Sequence, residues 1–174
     1  MWFVERGALI IQLRDKTSSQ EIIFDKTKYL CEWLGERQKK TPSQEPILFI
    51  LNDHVDIAVR LPVSGVHIGQ EDGEIDSVRR LLGSYKIIGR STHSLAQARQ
   101  AEIDGADYIG IGPIFSTPIK NDRLPVGLDI LKKVVEMVSV PAVAIGGITY
   151  EDRKKVRVAG GKNIAAIRSA KDFF

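Results

Sequence analysis

Positions 65–72, GVHIGQED, leave an apolar run in an unusual way. Val63, Val66 and Ile68 suit a β-strand, and then a glycine, an amide and two acids follow with nothing apolar behind them. A strand that ends in oxygen donors is either a plain surface turn or a place built to hold a hard cation. A second cluster lies in QLRDK, where Gln12, Arg14 and Lys16 are spaced by two and so point the same way in extended chain. Two cations and an amide on one side suit an anion with several oxygens; exposed charge at a strand end is the plainer reading. Asn52 and Asp53, in NDHVD, either cap a helix or add a further acid. RSTHS supplies Ser91, Thr92, His93 and Ser94, some of them helix caps, with His93 suited to orienting a loop or moving protons. Thr117, Lys120 and Asn121 supply donors in a long loop stiffened by Pro113 and Pro118. Gly146 and Gly147 precede a helix, where backbone N–H groups can approach an anion; a tight turn without a ligand is the alternative.

These groups need elements to place them, and the pattern of the chain alternates. Strands are expected at ALIIQL (8–13), PILFIL (46–51), SGVHI (64–68), YKIIGR (85–90), DYIGIG (107–112), VPAVAIGG (140–147) and IAAIRS (164–169). Helices are expected over 18–37, 53–61, 74–83, 94–105, 128–138 and 149–161, with Ser at the start of the first and fourth and Gly83 and Gly105 closing the third and fourth. Strands that are apolar throughout imply burial on both faces, hence a parallel sheet covered by helices. One α/β domain over 1–174 is expected, either an open doubly wound sheet or a TIM (β/α)8-type barrel. Seven strands leave the barrel one βα unit short. Each strand delivers polar groups at its C-terminal end, where both architectures build their sites.

Bulk properties exclude several classes. The 174 residues are 43% hydrophobic and 27% charged, ordinary globular composition. No run is long and apolar enough to span a bilayer, and Glu5 interrupts the apolar start, so neither a membrane nor a secretory signal is expected. Cys31 is the lone cysteine, which rules out an internal disulfide and fits a reducing cytoplasm. A net charge of +3 suits small anionic substrates, while GERQKKTP reads as a basic helix end rather than a nucleic-acid stripe. Two anion sites follow: Gln12, Arg14, Lys16 and Lys120 with Asp53 and Asp72 as oxygen ligands for Mg²⁺, and Gly146-Gly147 with the last strand end.

QLRDK, LNDHVDIA, GVHIGQED, GRSTHSLAQA, GADYIGIGPIFSTPIK, VGLDIL and VPAVAIGGI, in this order, resemble the thiamine phosphate synthase family from about residue 7 to the last strand. That resemblance implies a TIM barrel and a transferase that joins hydroxymethylpyrimidine diphosphate to a thiazole phosphate, releasing pyrophosphate. It implies that Gln12, Arg14 and Lys16 bind the diphosphate with Asn52, and that Asp53 and Asp72 hold Mg²⁺. It further implies that Ser91 and Lys120 bind the pyrimidine substrate, and that Thr117, Pro118, Ile119, Gly147, Ile167 and Arg168 hold the thiazole phosphate. Arg14, Lys16 and Lys120 would stabilise the leaving pyrophosphate.

The resemblance is incomplete in three places. The family's first strand and helix have no counterpart, Ile119 stands where a hydroxyl is usual, and Arg168 stands where a serine is usual. An open seam is therefore expected, covered by a second copy of the chain or by residues 1–6 with Trp2 and Phe3. Two rival readings remain at this point. One is a thiazole tautomerase-like isomerase, which needs neither the acids nor the basic set. The other is a catalytically impaired paralogue that binds a phosphate ligand.

Overall fold

The computed structural model describes residues 2–118, 124–167 and 169–173. Seven strands form one parallel sheet in chain order: β1 Ile10–Leu13, β2 Leu48–Asn52, β3 Gly65–Ile68, β4 Ile87–Thr92, β5 Tyr108–Ile111, β6 Ala142–Ile145 and β7 Asn163–Ala165. Among the described residues no ladder joins β7 to β1, so the sheet curls into an incomplete TIM-type barrel with two edges. The helices are α1 Trp2–Glu5, α2 Gln20–Lys40, α3 Val55–Arg60, α4 Ile75–Leu82, α5 Leu95–Ile103, α6 Gly127–Met137 and α7 Arg153–Val158. A single 3₁₀ turn, Ala170–Phe173, follows the last strand.

Local chemistry accounts for the boundaries. Ser19 caps α2 through the Ile22 N–H, and Ser94 caps α5 through the Gln97 N–H at 3.2 Å. The first of these helices runs three residues past the expected Arg37, because the Thr41 N–H and hydroxyl both bond the Arg37 carbonyl beyond its end. Strand β4 is displaced forward from the expected 85–90: Tyr85 is solvent-exposed, while the Lys86 ammonium is held by the Ala58 and Leu61 carbonyls. Ser91 and Thr92 therefore belong to the strand rather than to the loop after it.

The two faces of the sheet differ. Leu51, Val66, Ile68, Ile88, Ile109, Ile111 and Ala144 are fully buried and pack with helix residues such as Ile57, Val78, Ala98, Leu131 and Val156. The register places Asn52, His67, Gly89 and Tyr108 side by side on the opposite face, followed by Ser91 and Gly110. Burial falls off at the open edges. Leu9 and Ile10 at the β1 edge are 63% and 58% exposed, as expected of a strand missing a neighbour. Val4 of α1 is buried, and this segment lies beside Arg37, Gln44 and Ile47, at the start of β2.

Glycines set how closely the strands approach. A Cβ on Gly65 would sit 2.0 Å from the Ile87 carbonyl oxygen, a backbone atom that no rotamer change can move. Gly35, inside α2, has nothing within 4 Å of such an atom. Gly65→Ala should therefore destabilise the fold by about 1–3 kcal/mol. Gly35→Ala should stabilise it by about 0.5–1 kcal/mol through reduced freedom of the unfolded chain and better helix propensity. Urea unfolding of the two variants checks both signs; equal midpoints would refute the close-approach argument.

Candidate active site

The acids of the first loops meet. Asp53, directly after β2, lies in the left-handed region with φ 66°, a conformation aspartate tolerates better than most residues. Its N–H is fixed to the His67 carbonyl at 2.9 Å, and the side chain is hydrogen-bonded to Asp72 rather than spent on capping α3. The Asp72 carboxylate folds back over the end of β3 and accepts the Gly69 N–H at 2.7 Å. A Cβ on Gly69 would lie 2.7 Å from that same carboxylate oxygen, which explains the glycine that interrupts the strand.

Electrostatics distinguish the two acids. Burial is the largest influence on both. In Asp53 it prevails, with Asp72 adding to it, and the carboxyl lies above its ordinary value despite the Lys16 ammonium 2.9 Å away. In Asp72 burial is outweighed by the Gly69 N–H, Asp53, Lys16 and Arg90, and the carboxyl lies below its ordinary value. Two carboxylate side chains with a lysine against one of them form a cation-demanding pair of hard oxygen donors. Such a pair fits Mg²⁺, which favours one or two carboxylates and completes its shell with water and substrate phosphate. Among the described residues no group of three or more His, Cys, Asp or Glu side chains is placed to hold a metal ion, so the two acids would hold the ion with oxygens from elsewhere.

The β1–α2 loop presents the cations. Gln12 and Lys16 alternate along the chain with Arg14, and all three side chains are exposed. Between them, Asp15 accepts from the Thr17 and Ser18 N–H groups and hydroxyls and from the Lys26 ammonium at 2.6 Å. Lys26 first, then Ser18 and Thr17, hold the Asp15 carboxyl well below the usual carboxylate range. The aspartate thus ties this loop to the first turns of α2 and faces away from the task of its neighbours.

A polar set lies on the inward face of the sheet. The His67 Nδ1 is 2.9 Å from the Tyr108 hydroxyl, and its Nε2 is 2.9 Å from the Ser91 hydroxyl. Gln12 bonds the same tyrosine. The Gln70 amide donates to the Ser91 carbonyl at 2.6 Å, and from the helix side of the sheet buried Arg90 donates to the carbonyls of Gly73 and Gln70, pinning the loop that carries Asp72. Asn52 is buried at the end of β2. His93 bonds the Gly112 carbonyl through Nδ1, and its backbone N–H donates to Gln97 Oε1 at 2.8 Å; it orients a loop.

The far side of the mouth is made by the ends of β5, β6 and β7. Gly146 and Gly147 have φ 94° and 67°, and a Cβ on Gly147 would lie 2.6 Å from the Phe115 and Ser116 carbonyl oxygens. Glycine is required there because the β5 and β6 loops touch, with the Phe115 N–H bonded to the Gly146 carbonyl. The Ser169 hydroxyl ties the end of the chain to the Ile148 carbonyl at 2.7 Å. Thr117 is half-buried, while Pro118 and Ile167 are exposed. Ile119, Lys120 and Arg168 lie outside the described residues.

Of the residues singled out from the sequence, Lys16, Asp53 and Asp72 are brought into contact, and Gln12 and Ser91 are joined through His67 and Tyr108. His67, Arg90 and Tyr108 were not singled out. A histidine inside GVHIG and an arginine ending YKIIGR were the available signals, since polar groups in otherwise buried strands must find partners.

The chain is similar to known proteins over nearly all its length. The thiamine monophosphate synthase family model matches residues 3–170. A thiamine-phosphate synthase from Shouchella clausii is 46% identical over 165 residues, covering 94% of this chain and 75% of the relative. One from a Synechococcus strain is 41% identical over 94% of this chain but only 44% of the relative, so the chain spans under half of that longer protein. The solved thiamine phosphate pyrophosphorylase from Pyrococcus furiosus superposes with a TM-score of 0.83 at 33% identity, covering 98% of this chain and 81% of that one. The order of strands, the meeting of acids and cations at their ends and these likenesses agree: the chain belongs to the thiamine monophosphate synthase family and is a transferase of that kind.

Proposed function

We propose that this chain joins hydroxymethylpyrimidine diphosphate to a thiazole phosphate, forming thiamine phosphate and pyrophosphate. The observation that carries the reading is the contact of Lys16 with Asp53 beside Asp72, which links the basic segment of β1 to the acid pair. Arg14, Lys16 and Lys120 bind the diphosphate with Gln12 and Asn52, Ser91 meets the pyrimidine substrate, and Asp53 and Asp72 hold Mg²⁺. Bound there, the ion supplies charge to the diphosphate oxygens. The CH₂–O bond of the pyrimidine substrate breaks, its electron pair leaves with pyrophosphate, and the thiazole nitrogen forms the new C–N bond to the same carbon. Arg14, Lys16 and Lys120 stabilise the charge that builds on the leaving group, the dominant contribution in transfers of this kind. Thr117, Pro118, Ile119, Gly147, Ile167 and Arg168 place the thiazole phosphate, so that two bound substrates face each other.

One assay separates this reading from its rivals. Pyrophosphate should appear only when both substrates and Mg²⁺ are present. Isomerisation of the thiazole phosphate alone would indicate a tautomerase-like enzyme, and binding without turnover would indicate an impaired paralogue.

Asp72→Ala should weaken the Mg²⁺-dependent binding of the pyrimidine diphosphate tenfold or more, about 1.4 kcal/mol, as read by calorimetry with and without the ion. Unchanged affinity would remove the acid pair from the metal role. Lys16→Ala and Lys120→Ala should each slow the single-turnover rate by roughly 10²–10³ while leaving thiazole phosphate affinity within a factor of a few. A rate equal to that of the parent chain would exclude the lysine concerned.

A second copy of the chain is the partner we propose for the open seam, where Leu9, Ile10 and Ile167 are exposed. Sedimentation at micromolar concentration should show a dimer; a monomer at all concentrations would overturn it.

A further inference from the structure

The inward face of the sheet carries a run of neutral polar side chains, of which His67 and Tyr108 have no task in the proposed chemistry. Gln12 on β1, Tyr108 on β5, His67 on β3 and Ser91 on β4 are joined end to end: amide to phenol, phenol to Nδ1 at 2.9 Å, and Nε2 to hydroxyl at 2.9 Å. The rings of His67 and Tyr108 lie 5.4 Å apart between centroids. Space for them comes from Gly89 on β4 and Gly110 on β5. A Cβ on Gly89 would lie 2.1 Å from the Tyr108 ring, and one on Gly110 would lie 3.2 Å from the His67 ring. IIGR and YIGIG thus carry glycine where an apolar strand would otherwise place a branched side chain, and the room is used for a tyrosine and a histidine.

We propose that Tyr108 and His67 are positioning residues, which set the direction of the Ser91 hydroxyl toward the pyrimidine substrate by fixing His67 as the Nε2–H tautomer. The inference rests on the assignment of Gln12 and Ser91 to that substrate. Its logic is a count of protons. Neutral histidine, tyrosine and serine each have one hydrogen to donate along this run, so the polarity of one link dictates the next. Burial pushes the Tyr108 phenol well up, and Gln12 pulls it the other way by donating to the phenol oxygen. The phenol then gives its hydrogen to His67 Nδ1. That leaves the imidazole hydrogen on Nε2, which donates to the Ser91 oxygen. The serine hydrogen is turned outward, able to donate to an acceptor on the substrate. The opposite polarity would direct the serine hydrogen to Nε2 and leave its oxygen as an acceptor, so that a diphosphate oxygen or ring nitrogen of the substrate would find no donor there.

The serine backbone is already held, because its carbonyl accepts from Gln70 at 2.6 Å and its strand is paired on both sides. What the run adds is the orientation of one hydrogen. Its effect should therefore appear in binding of the pyrimidine diphosphate and be absent from binding of the thiazole phosphate.

The test uses the whole chain, with Tyr108→Phe, Ser91→Ala and the double variant. In the ligand-free parent chain, ¹⁵N–¹H correlation spectra of the imidazole should show His67 as Nε2–H, and Tyr108→Phe should move it to a mixture of tautomers. Affinity for the pyrimidine diphosphate should fall about tenfold in Tyr108→Phe, with thiazole phosphate affinity unchanged. Added to Ser91→Ala, the tyrosine change should cost nothing further. An Nδ1–H histidine in the parent chain, an unaltered tautomer in Tyr108→Phe, or additive losses in the double variant would each overturn the proposal. The tautomer is read without substrate, so a chain that showed no pyrophosphate release would refute the synthase reading and leave this arm to decide separately. A Tyr108→Phe chain that failed to fold would shift the tautomer measurement to Gln12→Ala, which removes the donor to the phenol and should give the same mixture; a pure Nε2–H form there would count against the proposal.

Discussion

Two carboxylate side chains held at hydrogen-bonding distance repel unless a proton or a cation lies with them. Asp53 and Asp72 impose that condition on the mouth of the sheet, and much of the local structure answers it. The left-handed turn at Asp53 brings one acid inward, Gly69 lets the other fold back over its strand, and Arg90 holds the intervening loop from the helix side. Lys16 supplies the charge the pair lacks. On the proposed chemistry, Asp53 and Asp72 would hold a divalent cation, and the Lys16 ammonium would then be available to diphosphate oxygens. The same contact thereby links the state of the acid pair to the placement of the β1–α2 loop, which Asp15 and Lys26 keep anchored to its helix.

The sequence made the βα alternation legible because apolar strands and capped amphipathic helices have different periods. All seven strands occur where alternation placed them, with ends displaced by local chemistry. Helix α3 was expected from residue 53 and begins at Val55, because Asp53 spends its carboxylate on Asp72 and Lys16 instead of on a cap. Helix α7 was expected from residue 149 and begins at Arg153, because the Thr149 hydroxyl and N–H bond the Asp152 carboxylate in a separate turn first. The acids and the cations of the β1–α2 loop were legible as chemistry-bearing residues. The run through His67 and Tyr108 was not, since it depends on which residues of non-adjacent strands face inward at one level. Only the register shows that.

An incomplete barrel would lose its core if that core lay inside the ring, yet the division of labour between the faces prevents this. The buried apolar residues lie mainly between the sheet and its helices: Val66 and Ile68 on β3, Ile88 on β4, Ile109 and Ile111 on β5, Ala144 on β6, against Ile57, Val78, Ala98, Leu131 and Val156. That layer needs only that each strand have a helix behind it, and seven strands satisfy it without closure. Opening the ring uncovers the inward face and the two edges instead. Ile10, Gln12, Val143 and Ile145 are accordingly only partly covered or exposed. The inward face can bear this because it carries His67, Ser91, Tyr108 and Gln12, which bond one another and tolerate water, where a closed barrel would rely on branched apolar layers. The polar interior that serves the chemistry is therefore also what makes an open ring compatible with a folded chain. The apolar edge of β1 at Leu9 and Ile10 is the part of the structure for which that compensation does not apply.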